Sequence, residues 1–498
     1  MRQRLISKTE NQEQPENHTF ARGSAAQHMI TEETISLQSL LFDSNISKDD
    51  WNRGMKYHSR TLTNLLLNNQ IEEFNTYLGS QFNHEITGEL PSAEISIRPS
   101  EIKKGLLKTD YRPVLQDLLQ TAVLIEHSTI PPYLTALYSI KDGTNVLASQ
   151  IIRSVAVEEM LHMIMVCNVM NAINIQPSVN RPQNYPTYPM KLPMNVDFFV
   201  GLETFSSNSI ATFIAIESPS SPLVKAPKYV SEPEAAGLPA KSTAQENNLW
   251  NLENMKNFIM KNVHTIGEYY DALFFYIVVF QIAAYYERYG KLPQNFEELN
   301  TGGIFTGDPA RQIRPEQYYG SGGKLHPVEA MEGVILVFQE IKGQGEGADD
   351  SIFDVDPSQF EEGAELAHYF RFKEVFHEHF YAGGDYRPFT DENGMMPVTT
   401  PPVGKPLPVD WSAAYPMMPN PKIADYQSDP ALFEQGKAFN ATYKKLLDAI
   451  QAAVEGQPED LAQSVMYMYA LKEQAIGLMS QPLNAQYNAG PTFEYPSN

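Results

Sequence analysis

The stretch IIRSVAVEEMLHMIMVCNVMNAI, residues 151–173, decides how this chain folds. At 3.6 residues per turn, Ile152, Val155, Glu159, His162, Val166, Val169 and Ile173 fall on one face of a helix spanning about 148–173. A face this apolar must point at a core, yet two of its positions are ionisable. Glu159 and His162 stand at i, i+3, which sets a carboxylate and an imidazole side by side. Burying them costs on the order of several kcal/mol unless they are paired, protonated or bound to a cation.

Working upstream, TAVLIEHSTIPPYLTALYSI at 121–140 belongs to a long helix starting near residue 111. Its stripe of Leu115, Leu119, Ala122, Glu126, Thr129, Tyr133 and Leu137 again carries one inward carboxylate, Glu126. Tyr133, one step further along the stripe, suits either a substrate-facing phenol or a packed core tyrosine. Pro131 and Pro132 remove amide donors from this helix, so a kink is expected just past Glu126. Working downstream, a third helix is expected over 257–289, carrying His264, Glu268 and Asp271 near its start. An apolar helix over 328–341 runs into Gly343-Gln344-Gly345-Glu346-Gly347, where Glu346 is a reserve ligand. A helix over 361–380 repeats the i, i+3 spacing in Glu365 and His368, with Glu374, His377 and His379 competing on the same element. Amphipathic helices over 431–454 and 459–479 close the chain.

The remaining segments organise around this body. Residues 1–28 are polar and read as a mobile arm, and 29–110 as a helical extension. Residues 111–382 form the bundle, with an insertion at 176–250 where short strands are expected at 196–205 and 210–217. Residues 383–498 combine a Pro-rich wrap with the C-terminal helices. The chain has 498 residues, 42% of them hydrophobic, which is ample for a core and excludes wholesale disorder. Its formal charge of −23 repels phosphate backbones, so nucleic acid is not an expected partner. The single cysteine, Cys167, cannot close an internal disulfide and reads as a small buried hydrophobe. The longest apolar run, 274–286, is shorter than the roughly 20 residues that cross a bilayer. With no apolar leader in residues 1–20, a soluble cytoplasmic protein is expected, without membrane partners.

One Glu from each of two helices and a Glu-x-x-His from each of two others is the ligand pattern of dinuclear carboxylate four-helix bundles. Glu126, then Glu159 with His162, then Glu268, then Glu365 with His368 supply it in chain order. Oxygen and nitrogen donors of this kind suit iron, two ions being the expectation, with a single ion, Mn or Zn as variants. The alternative reading of the same residues is buried hydrogen-bonded or solvated groups without metal.

The motif Glu126-His127-Ser128-Thr129-Ile130-Pro131-Pro132-Tyr133-Leu134 resembles the bacterial ferritin-like family named for iminophenyl-pyruvate dimer synthase, which includes domains of violacein- and rebeccamycin-pathway enzymes. The likeness continues through Val157-Glu158-Glu159-Met160-Leu161-His162-Met163, Thr265-Ile266-Gly267-Glu268-Tyr269-Tyr270, Gly343 to Gly347, His368-Tyr369-Phe370-Arg371-Phe372 and Gly490-Pro491-Thr492-Phe493-Glu494. It implies a ferritin-like bundle, and with the segments read above the expected fold is mostly α: a ferritin-like four-helix bundle with a small β-containing insertion and extra N- and C-terminal helices. It also implies non-haem iron and, in the pathway members, oxidative coupling of two imines derived from an aromatic amino acid. Those members are longer chains that need haem, so the broader expectation carried to this chain is a di-iron oxidase or oxygenase in natural-product biosynthesis. Its reactants would be dioxygen and a small organic substrate, with room for an electron donor and a homo-oligomer. Glu126, Glu159 and Tyr133 would be its catalytic groups. The rivals are an iron-binding or storage protein using the same ligands, and a metal-free scaffold.

Overall fold

The computed structural model of the chain describes residues 36–37, 40, 46–67, 70–82, 110–219, 252–293, 295–318, 322–347, 352, 365–382 and 401–496. The arm at 1–28, the insertion beyond residue 219 up to 251, and the expected start of a helix at 361–364 lie outside them. The described helices are α1 (Lys48–Leu67), α2 (Ile71–Phe82), α3 (Tyr111–Ser139), α4 (Val146–Ala172), α5 (Ser207–Ile216), α6 (Leu252–Asn262) and α7 (Ile266–Tyr289). They continue with α8 (Phe296–Leu299), α9 (Met331–Glu346), α10 (His368–His377), α11 (Pro430–Val454) and α12 (Leu461–Met479). All described residues belong to one unit, residues 35–498.

Four of these helices close a ring: α3 packs on α4 and α7, and α9 packs on α4 and α7 from the other side. Helices α4 and α7 are long and apolar enough to cross a bilayer, but 94% and 89% of their most apolar windows are buried inside the protein. Their apolarity is that of core helices. The α11–α12 hairpin lies against α3 and α4, and α1 covers α7 and α9. Cys167 is buried on α4, and burial pushes its thiol up to about 12, as expected of an inert core residue.

The expected third helix is two. Val263 and His264 lie outside helix, and α7 begins again with Thr265 as its N-cap, accepting from the amide of Glu268. The expected short strands do not form among the described residues. Residues 207–216 are helical because Ser206 caps the segment, its hydroxyl accepting from Ser209, while Ile210, Phe213 and Ile216 bury one helical face. Alternation and helical spacing overlap in so short an apolar run, and the cap decides between them. Residues 196–205 are irregular: an isolated bridge joins Val200 to Met190, and Leu202, Thr204 and Phe205 bond to Asn420, Tyr415 and Ser139 respectively.

Helix α3 runs unbroken through Pro131 and Pro132 instead of stopping there. Pro132 has no amide to bond the carbonyl of Ser128, four residues back. The Tyr188 hydroxyl donates to that carbonyl at 2.8 Å, so the freed acceptor is satisfied within the core. We expect Tyr188→Phe to lower stability by about 1–3 kcal/mol, the cost of a buried carbonyl left unpaired, measurable by denaturant unfolding.

Candidate metal centre

The centre is built where α3 and α4 face each other and the short helices α5 and α10, packed on one another, cover them. Glu126 comes from the middle of α3, and Glu159 and His162 from the middle of α4. Glu217 is the residue that ends α5, and His368 is the first residue of α10. All five side chains are buried, none more than 4% exposed. Two groups of ligand atoms lie within 4.8 Å of one another, Glu126 with Glu159 and His162, and Glu159 with Glu217 and His368. Glu159 belongs to both.

Each carboxylate divides its two oxygens in the same way. Glu126 Oε1 accepts from the Tyr270 hydroxyl, Glu159 Oε2 accepts from Thr129 Oγ1 at 2.8 Å, and Glu217 Oε1 accepts from the Tyr133 hydroxyl at 2.5 Å. The other oxygens turn toward the imidazoles. His162 Nδ1 lies 3.4 Å from Glu126 Oε2 and 3.6 Å from Glu159 Oε1. His368 Nδ1 lies 2.9 Å from Glu159 Oε1 and 3.5 Å from Glu217 Oε2. The two rings stack with centroids 5.6 Å apart. Three oxygens and two ring nitrogens therefore converge, while the hydroxyls hold the opposite edges of the carboxylates.

The far nitrogens of both rings are held as well. His162 Nε2 is 2.8 Å from Gln344 Oε1, on the last turn of α9, and His368 Nε2 is 2.7 Å from Glu158 Oε2. Both partners only accept, so each Nε2 carries the proton and each Nδ1 presents a lone pair when the ring is neutral. Arg371 Nη1 donates to Glu158 at 2.8 Å. Burial pushes the Glu158 carboxyl up, but the Arg371 charge and the His368 bond outweigh it and hold it down to about 2.

The remaining groups are shifted in ways that follow from confinement. Burial raises the Glu159 carboxyl, and the neighbouring Glu217 and Glu126 charges add to the rise. For His162 burial works downward, but the bond to Glu126 and the charge of Glu159 outweigh it and lift the ring to about 9. His368 is raised too: burial opposes its charge, and Glu217, Glu158 and Glu159 overcome that. Burial, with the Glu217 charge beside it, keeps the Tyr133 phenol protonated far above its ordinary range. Tyr133 packs between Phe213 and Phe372, at ring-centroid distances of 4.5 and 5.2 Å.

The structure thus brings Glu126, Glu159, His162, His368 and Tyr133 together, and it corrects two expected members. Glu268 sits in the first turn of α7, its carboxylate accepting from the His264 amide at 2.8 Å, because the break before α7 makes it part of a helix cap and not an inward mid-helix residue. Glu365 precedes α10, so the i, i+3 geometry with His368 never forms. Its side chain is 47% exposed and lies 3.6 Å from Arg371 Nη2. Glu346 is in the last turn of α9, 3.6 Å from Lys342, with its carboxylate against Gly267, where a Cβ would collide with it. Asp271 pairs with Lys342 at 2.6 Å, and Glu374 accepts from the Tyr381 amide at 2.9 Å, both outside the cluster. The residues that sequence reasoning missed are Glu217, Glu158, Gln344 and Arg371. Glu158, Gln344 and Arg371 lie inside the motifs that carry the resemblance, and Glu217 directly follows the apolar run IATFIAI.

A closed ring of helices beside clustered buried carboxylates and imidazoles defines a helical-bundle protein whose interior is compatible with a metal site. The family model described as ferritin-like matches residues 119–377, just over half of the chain, and the chain belongs to the ferritin-like family. Among solved structures, a ferritin-like protein from Caulobacter vibrioides, at 1.95 Å resolution, is similar at 18% identity and a TM-score of 0.43, covering 77% of this chain and 98% of that one. No curated protein matches.

A cation binds these rings only when they are neutral. His162, ordinarily near 6.5 and here near 9, favours the folded metal-free state below about pH 6.5, a contribution lost as pH rises through about 9. Cation binding at pH 7.5 should therefore release protons, and affinity should climb from pH 6.5 to 9. Calorimetry in buffers of different ionisation enthalpy reads both quantities, and binding without proton uptake by the buffer would contradict them.

Proposed function

We propose that this chain is a non-haem di-iron oxidase or oxygenase acting on a small organic substrate. The observation that carries the reading is the sharing of Glu159 between two three-residue groups, each completed by one imidazole. In it Glu126, Glu159 and His162 would hold one cation, and Glu159, Glu217 and His368 the other. Three carboxylates offset most of the charge of two divalent ions, and two imidazoles leave coordination positions for reactants. The surroundings of His368 Nδ1 support the fit: it is buried between Glu159 Oε1 at 2.9 Å and Glu217 Oε2 at 3.5 Å, oxygen donors of the kind that would share a cation with it.

Iron bound there supplies the ability to reduce dioxygen, and the chain's own residues do the rest. Tyr270, Thr129 and Tyr133 orient the three carboxylates by their outer oxygens. Tyr133 keeps its proton on the phenol oxygen, bonded to Glu217, and with Phe213 and Phe372 forms a wall that excludes water. The likeness of the Glu126 to Leu134 motif to the imine dimer synthase family supports an amino-acid-derived imine as substrate, with oxidative coupling of two such molecules as the narrower form of the reaction.

Protein produced in iron-rich medium and measured by elemental analysis should carry close to two iron atoms per chain. Glu159→Ala should lose both, whereas Glu217→Ala should keep about one. Glu268→Gln and Glu365→Gln should leave the content unchanged. Full occupancy in Glu159→Ala would refute the site. Oxygen consumption should need an organic imine, and equal consumption without one would favour iron handling instead.

A further inference from the structure

The two halves of the cluster are not alike. His162 Nε2 is backed by a neutral amide, Gln344, whose own nitrogen donates to Glu340 at 3.1 Å. His368 Nε2 is backed by a carboxylate, Glu158, which is itself gripped by Arg371. Arg371 is anchored in turn by its Nε donating to the carbonyl of Leu366, and Glu158, His368 and Arg371 are all buried. The adjacent residues Glu158 and Glu159 therefore clamp one imidazole from both ends, Glu158 at Nε2 and Glu159 at Nδ1. A doubled glutamate on one helix normally splits between faces. Here His368, entering from outside the four-helix ring, lies where both can reach it.

From this geometry we infer that Glu158 is a positioning residue that makes the two cation positions unequal, with the His368 position the tighter. The inference rests on the two-cation reading above. A carboxylate accepting from Nε2–H fixes the ring's tautomer and orientation as an amide does. It also places negative charge against the ring, which raises the donor strength of Nδ1. Arg371 Nη1, 2.8 Å from the other oxygen of that carboxylate, holds it turned toward the ring, and Glu365 is an outer partner of the same guanidinium. The amide behind His162 orients the ring without adding charge. The first cation should consequently occupy the position formed by Glu159, Glu217 and His368, and the second the position formed by Glu126, Glu159 and His162.

The test is calorimetric and spectroscopic titration of chelator-treated full-length protein with Co2+. The wild type should show two resolved steps. In Glu158→Gln the tighter step should weaken by about ten- to a hundredfold while the other stays in place, since outer partners of metal-bound imidazoles carry effects of that size. Gln344→Leu should move the weaker step alone. If Glu158→Gln does not fold because Arg371 has lost its counter-charge, Glu158→Asp replaces it. That variant keeps the charge but withdraws it from Nε2, and the same selective loss is expected. Two steps that shift together, or that ignore the change at Glu158, would overturn the inference and leave the two-cation reading standing. A wild type that takes up no Co2+ would overturn both.

Discussion

The structure depends on burying three carboxylates and two imidazoles in an interior otherwise made of aliphatic and aromatic side chains. Unpaired, these groups could not be there, because the loss of hydration would exceed what the surrounding apolar burial supplies. They are tolerated because each carboxylate gives one oxygen to a hydroxyl from a neighbouring element and the other to the rings. Tyr270 from α7, Thr129 from α3 and Tyr133 from α3 do this, so the polar cluster is also what ties the ring of helices together.

That dependence explains the otherwise odd construction of α3. A helix with two consecutive prolines would usually end, yet α3 continues, because Tyr188 supplies the donor that Pro132 lacks. Continuing the helix keeps Thr129 and Tyr133 on the same stripe as Glu126, which is the arrangement the cluster requires. The fourth bundle helix, α9, brings no carboxylate or imidazole to the cluster. It contributes Gln344, whose buried side chain holds the outer edge of His162. The second imidazole comes instead from α10, which leans on α5 across the top of the ring.

Much of the architecture is legible in the sequence. The stripes on α3 and α4 placed Glu126, Glu159 and His162 inward, where they are found, and the resemblance in those motifs pointed to the ferritin-like family that the chain belongs to. The insertion misled, because IATFIAI reads as alternating and as helical with equal ease, and its carboxylate Glu217 went with it. Glu365 misled for a different reason. Glu-x-x-His brings two side chains together only if all four residues are helical, and α10 starts at His368 itself. Glu268 misled because a break of a few residues turned a mid-helix position into a cap.

The sequence by itself determined which helix faces turn inward and that ionisable groups lie on them, since periodicity is a local property that each helix carries alone. Only the tertiary structure decided which residues complete the cluster. Glu217, His368 and Glu158 meet through the docking of two short helices against a long one. The contact between residue 158 and residue 368 is set by packing across the whole bundle and by no spacing along the chain.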